Sequence, residues 1–126
     1  MHIDQQLDII VPCFNEEKRL DTDYWNNIVG ETEFTWVFVD DGSTDQTTKK
    51  LSEIKNIKVL RLEKNSGKGE ALRFGTNYVF GISSADEICV AYIDADGAFN
   101  ANDIRRIFSI FEEKITSGLL DFQSSL

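Results

Sequence analysis

Histidine and proline each occur once in these 126 residues, cysteine twice, and lysine plus arginine 13 times against 22 acids. Each shortage excludes something. The lone His2 sits in the N-terminal tail, and no Cys/His spacing of a zinc or other soft-metal site exists. Cys13 and Cys89 fall in separate apolar runs, which reads as buried, reduced thiols of an intracellular protein rather than a disulfide framework. The formal charge of 13 − 22 = −9 denies the chain the positive footprint that a nucleic-acid backbone requires. A metal ion or a few basic side chains can still hold the phosphates of a single nucleotide. One proline and a hydrophobic fraction of 41% argue against disorder or low complexity. No apolar run approaches the roughly 20 residues of a membrane span, and the N-terminus lacks the basic-then-apolar layout of a signal peptide. The expectation is one soluble, cytoplasmic domain, large enough for a real core.

What the chain does have is a pattern of apolar strands that end abruptly in acids. Residues 34–47 read FTWVFVDDGSTDQT. The run Trp36 to Val39 has the continuous apolar character of a strand covered on both faces, as in parallel sheets. Asp40 and Asp41 follow at its carboxyl end, where open α/β sheets bind ligands. The same change recurs at residues 7–14 (LDIIVPCF), followed by Asn15, Glu16 and Glu17, and at residues 87–93 (EICVAYI), followed by Asp94, Ala95 and Asp96. Pro12 suits a strand terminus.

Between these strands the spacing is helical. A first helix is expected from Asn15 as N-cap, through Leu20, Tyr24, Trp25, Ile28 and Val29, to a Gly30 C-cap, with room for a break near Asp21 to Asp23. A second is expected over residues 45–55, capped by Ser43 or Thr44, with Leu51 and Ile54 inward. A strand over residues 57–62 leads to the basic, glycine-punctuated loop of residues 64–69. A third helix follows, through Ala71, Leu72, Phe74, Tyr78 and Val79, which keep helical spacing. A last amphipathic helix covers about residues 102–115, and residues 119–122 resemble a strand cut short, as in a fragment of a longer protein. Strictly alternating strands and helices predict an α/β fold: a doubly wound, mostly parallel sheet sandwiched by helices.

Parallel strands would gather these acids on one edge, where they repel unless a cation sits among them. Oxygen-only ligands favour Mg²⁺ or Mn²⁺, which keeps waters and bridges substrate phosphates. In an acid–small–acid spacing, one side chain can reach the metal while the other bonds a sugar hydroxyl. Taken singly, Asp40-Asp41 reads equally as a polar turn, and Asp94/Asp96 as an Asx turn. The loop of residues 65–69 offers backbone N–H groups and Lys68 to a phosphate, with Arg73 one turn further on. It is no Walker A loop, because the glycine spacing and the Ser/Thr after lysine are missing. A solvated turn explains it as well.

The set VPCFNEE, VFVDDGSTDQT, NSGKGEALRFG and YIDADG resembles the donor half of a GT-A glycosyltransferase of the family 2 type. Its NxGKG and DAD elements are most similar to polyprenyl- and dolichyl-phosphate sugar transferases. The resemblance covers residues 7 to about 115 and is specific for fold, less so for the sugar. It implies inverting, metal-dependent transfer from a UDP- or GDP-linked sugar to a lipid phosphate or a glycan, at the inner face of a membrane. Pro12, Phe14 and Glu16 would line the base pocket, Asp40 would bond the base, and Asp41 would support the loop or ribose. Lys68 would lie beside the base or phosphates, while Asp94 and Asp96 match the DxD motif for ribose or sugar and the Mg²⁺ or Mn²⁺ ion. Phe14 stands where the family often has tyrosine. Gly97-Ala98 replaces the Leu-Gln that often follows the DxD of mannosyltransferases. The acceptor-side base, where the family uses one, is expected beyond residue 126. Two other readings fit some of the residues: a receiver-like phospho-acceptor signalling domain, and a non-catalytic nucleotide-binding domain.

Overall fold

The apolar runs become the strands β1 (Gln5–Cys13), β2 (Thr35–Asp41), β3 (Lys58–Leu62) and β4 (Glu87–Tyr92), all parallel, in the order β3-β2-β1-β4. The computed structural model describes residues 5–83, 87–106 and 109. Between the strands lie α1 (Thr22–Glu31), α2 (Thr47–Leu51) and α3 (Lys68–Ile82), and a further helical segment occupies residues 101–106. The remainder of the expected last helix and residues 119–122 fall outside the described residues.

Strand parity sorts the core into two layers, because successive side chains point to opposite faces. Ile9, Val11 and Cys13 of β1 and Trp36 and Phe38 of β2 face α1, α2 and Ile104. Ile10, Val37 and Val39 face Ala71 and Val79 of α3. The chain adds β2 and β3 on one side of β1, then reverses to place β4 on the other. This is the doubly wound arrangement that the alternation predicts.

Trp25 of α1 is the hub of the first layer, meeting Tyr24, Trp36 and Phe38 edge-on with ring centroids 5.1, 5.6 and 5.1 Å away, a geometry that suits aromatic quadrupoles. In the second layer α3 lies unusually close to the sheet. A Cβ on Gly75 would stand 2.9 Å from Ile10 Cγ2 and 3.1 Å from Val39 Cγ2. The row 71–75–79 therefore faces inward, and Phe74, one position off that row, is 40% exposed.

The helix starts differ from the sequence expectation. α1 begins at Thr22, with the Asp21 carboxylate accepting the Tyr24 N–H at 3.1 Å. Asn15 is no cap: its φ is 48°, and residues 16–20 form a separate turn closed by Leu20 N–H on the Glu16 carbonyl at 2.8 Å. Gly30 lies inside α1, which ends at Thr32. α2 is also shorter than expected. Ser43 and Thr44 do not cap it; instead Asp45 Oδ1 accepts the Thr47 N–H at 2.9 Å. Leu51 and Ile54 are buried as expected.

Candidate functional site

The change of winding direction at β1 puts α1 and α2 on one face of the sheet and α3 on the other, and the carboxyl ends of the strands at such a reversal are where open α/β sheets bind ligands. A cleft of about 420 Å³ lies there. Pro12 and Phe14, from the end of β1, form its apolar wall, with Glu16 and Arg19 beside them. Asp41 comes from β2, Asn65, Gly67 and Lys68 from the β3–α3 loop, and Asp94 and Asp96 from the end of β4. The structure thus brings together seven of the residues expected from the sequence: Pro12, Phe14, Glu16, Asp41, Lys68, Asp94 and Asp96.

Asp40 is the exception, and parity explains it. It alternates with Asp41, so its carboxylate points to the α1/α2 side and is 0% exposed. Oδ1 accepts the Ser43 N–H at 3.0 Å, and Oδ2 accepts Arg61 Nη1 at 2.7 Å and the Thr48 hydroxyl. The side chain is fully engaged beneath the site and does not line the cleft, so the expected contact of Asp40 with a base is not what this geometry presents. Asp41 faces the α3 side and takes the cleft position instead. Its two oxygens accept the Ser66 N–H at 2.8 Å and the Gly67 N–H at 2.9 Å, which pins the glycine loop to the end of β2. Gly42 makes this approach possible. At φ +69° a Cβ there would stand 2.4 Å from the Lys64 carbonyl carbon, leaving no room for a side chain.

The pinned loop starts α3 at Lys68, whose Nζ reaches across the cleft to Asp94 Oδ1 at 2.7 Å and lies 4.9 Å from the Tyr92 ring centroid. The hydrogen bond to Asp94 outweighs slight desolvation and holds the lysine above its ordinary pKa. Asp96 sits in a tight turn, with Oδ1 accepting the Ala98 N–H at 3.1 Å. Between the two acids, the Ala95 carbonyl accepts the Trp25 Nε1–H at 3.3 Å. Beyond them Gly97 takes φ +74°, where a Cβ would press on the Tyr24 ring at 3.1 Å. The two aromatic neighbours on α1 thus hold the turn from below on both sides of Asp96.

Asp94 and Asp96 are a hard, oxygen-only donor pair at the cleft, and no group of three or more His, Cys, Asp or Glu able to hold a metal occurs among the described residues. Two carboxylates fit a cation that takes its remaining ligands from water and substrate phosphate, the usual habit of Mg²⁺.

Arg19 escapes a sequence reading. It lines the cleft through an ion pair to Glu16, Nε to Oε2 at 2.9 Å. Only the i, i+3 spacing from Glu16 hints at it. Arg73, expected at the same edge, is exposed on α3 with its Nη1 3.9 Å from Glu70 Oε2. Cys13 borders the cleft, but burial and the nearby Glu16 and Asp40 charges push its thiol far up, so it is no thiolate nucleophile.

A parallel sheet wound this way, with an Asp-Ala-Asp turn at its switch-point cleft, is the architecture of GT-A-type nucleotide-sugar transferases. Residues 8–121 match the family model described as glycosyl transferase family 2, and the chain belongs to that family. Mouse dolichyl-phosphate beta-glucosyltransferase is 37% identical over 94% of this chain and 37% of its own length. The poly(ribitol-phosphate) beta-N-acetylglucosaminyltransferase TarS of Staphylococcus aureus is 31% identical over 89% of this chain and 20% of its own. The crystal structure of S. aureus TarS 1-349 in complex with UDP superposes with a TM-score of 0.67 at 26% identity, covering 86% of this chain and 32% of that one. The chain therefore spans between about a fifth and somewhat over a third of the length of these relatives.

Proposed function

We propose that this chain is the donor-binding part of a family 2 glycosyltransferase that takes a sugar from a nucleoside diphosphate and transfers it, with inversion, to a phosphorylated polyprenol. The observation that carries the reading is the convergence in one cleft of an apolar wall, a lysine at a helix start and two strand-end carboxylates. The UDP complex of TarS favours uracil as the base, and the dolichyl-phosphate relatives favour a lipid phosphate as acceptor.

In this reading Pro12 and Phe14 pack against the base, with Glu16, Arg19 and Asp41 around it. Asp41 takes the role that parity denies Asp40, and Asp40 supports it from beneath. Lys68, paired with Asp94 in the free chain, would pair with the diphosphate instead, and Asp94 and Asp96 are the residues that would hold the metal, with Asp94 also available to the sugar. A bound Mg²⁺ or Mn²⁺ supplies Lewis-acid stabilisation of the leaving diphosphate. A phosphate acceptor is already ionised near neutral pH, so its attack needs no general base from this chain. In this reading a lipid-phosphate acceptor would bring the chain to the inner face of a membrane; among the described residues no helix is long and apolar enough to cross one. Against a receiver-type phospho-acceptor, Lys68 opens α3 rather than ending a strand.

Calorimetric titration with UDP and with GDP, each with and without Mn²⁺, tests the reading. Saturable UDP binding that Mn²⁺ strengthens is the expected result. Absence of binding to either nucleotide under all four conditions refutes it.

A further inference from the structure

The segment Ser43 to Thr47 lies outside the cleft lining, yet each of its residues hydrogen-bonds the loop that carries the apolar wall. Three consecutive N–H groups after β1 point at three side chains after β2. Asn15 N–H donates to Ser43 Oγ at 3.0 Å, Glu16 N–H to Thr47 Oγ1 at 2.7 Å, and Glu17 N–H to Asp45 Oδ2 at 3.2 Å. The traffic also runs the other way: Thr44 N–H donates to Asn15 Oδ1 at 2.9 Å, and Gln46 N–H to Glu17 Oε1 at 2.8 Å. Lys50 Nζ closes the far end on the Leu20 carbonyl at 3.1 Å. Neither loop satisfies these donors internally, so each serves as the other's template. The hydroxyl of Thr47 is central, because it accepts from Glu16 while donating to Asp45 Oδ1.

From this reciprocal clamp we infer that Thr47, with Asp45 and Asn15, is a positioning residue for nucleotide binding: it sets where Phe14, Glu16 and Arg19 stand without touching the ligand. The inference rests on the nucleotide reading of the cleft. It separates two halves of the site physically. The clamp holds the base side, while the Asp94–Asp96 turn is held independently through Trp25.

Thr47→Val keeps the shape and removes the acceptor, leaving the part-buried Glu16 N–H unpartnered. In calorimetry on the whole chain, Thr47→Val is expected to weaken UDP and UMP by the same factor, about tenfold, as befits one lost buried hydrogen bond. The gain that Mn²⁺ gives to UDP should be unchanged, and Thr47→Ser should restore wild-type affinity. Should Thr47→Val not fold, Asn15→Gly decides in the same assay, since glycine accepts the positive φ of that position and removes only the side-chain acceptor. Wild-type binding of UDP with both nucleotides unaffected by the substitution overturns the inference alone. So does a loss confined to the Mn²⁺-dependent part. A wild-type chain that binds no nucleotide removes the nucleotide reading, and this inference with it.

Discussion

Asp40 and Asp41 are adjacent, identical in chemistry and opposite in circumstance. Removing the Asp40 carboxylate takes the acceptor from the Ser43 N–H and the Thr48 hydroxyl proton and the charge partner from Arg61, whose Nη1 keeps only the Thr48 oxygen. Loss of one partner from a buried polar network costs more than the interaction is worth in water. Because the Arg61 side chain is 44% exposed and can re-solvate, Asp40→Ala should lower stability by about 2–3 kcal/mol, less than the roughly 3–5 kcal/mol of a fully buried pair. Asp41→Ala should instead weaken UDP binding by about tenfold or more, since it removes a cleft carboxylate and releases the loop at Ser66 and Gly67. Urea unfolding and UDP titration of the two variants check the division. The reverse pattern, with Asp40 governing affinity and Asp41 stability, contradicts the geometry. The sequence shows two acids at a strand end. Which of them faces the cleft depends on which helix layer each side of the sheet receives, and only the packing of α2 and α3 decides that.

At the level of elements, the strands were legible because their apolar runs end so sharply at residues 14, 39 and 93. The helix starts were not, for a specific reason. Ser43, Thr44, Asp45 and Asn15 have the composition of helix caps, and the same short oxygens serve equally well as acceptors between loops. Local sequence cannot say which partner wins when the partner lies about 30 residues away. The role of α1 in the site was hidden likewise: Trp25 and Tyr24 read as ordinary apolar positions, and nothing local connects them to residues 95–97. The contact has a measurable consequence. Trp25→Phe keeps much of the ring packing but leaves the Ala95 carbonyl without its donor, so stability should fall by about 2 kcal/mol. In addition, the Mn²⁺-dependent gain in UDP affinity should drop severalfold while metal-free UDP binding stays level. An unchanged metal-dependent gain would show that the indole does not set the turn.

For the whole molecule, the carboxyl ends of the strands carry the site, and one buried acid lies well away from it. Asp8 of β1 is fully buried, and its Oδ2 accepts Gln6 Nε2 at 2.6 Å. Burial raises its pKa, and the Gln6 hydrogen bond offsets this only in part. The folded chain therefore holds this proton at pH values where the unfolded chain, near 3.8, has lost it. At this residue stability is greatest below the unfolded value and declines as pH rises through the folded one. Asp8→Asn should remove that decline, so that wild type and variant diverge in favour of the variant as pH increases above about 4; thermal unfolding across that range measures it, and parallel curves would exclude the linkage. The parallel fold and its winding were readable from the order of the segments, whereas Asp8 was not singled out, because a polar residue near a strand start normally lies in water. The hydrogen bond from Trp25 to Ala95 has an optical meaning as well. The chain has two tryptophans, both buried and in edge contact at 5.6 Å, so its intrinsic emission arises from a single cluster. One of those two indoles is bonded to the backbone between Asp94 and Asp96, and the protein thereby carries a built-in fluorophore wired to its own cleft.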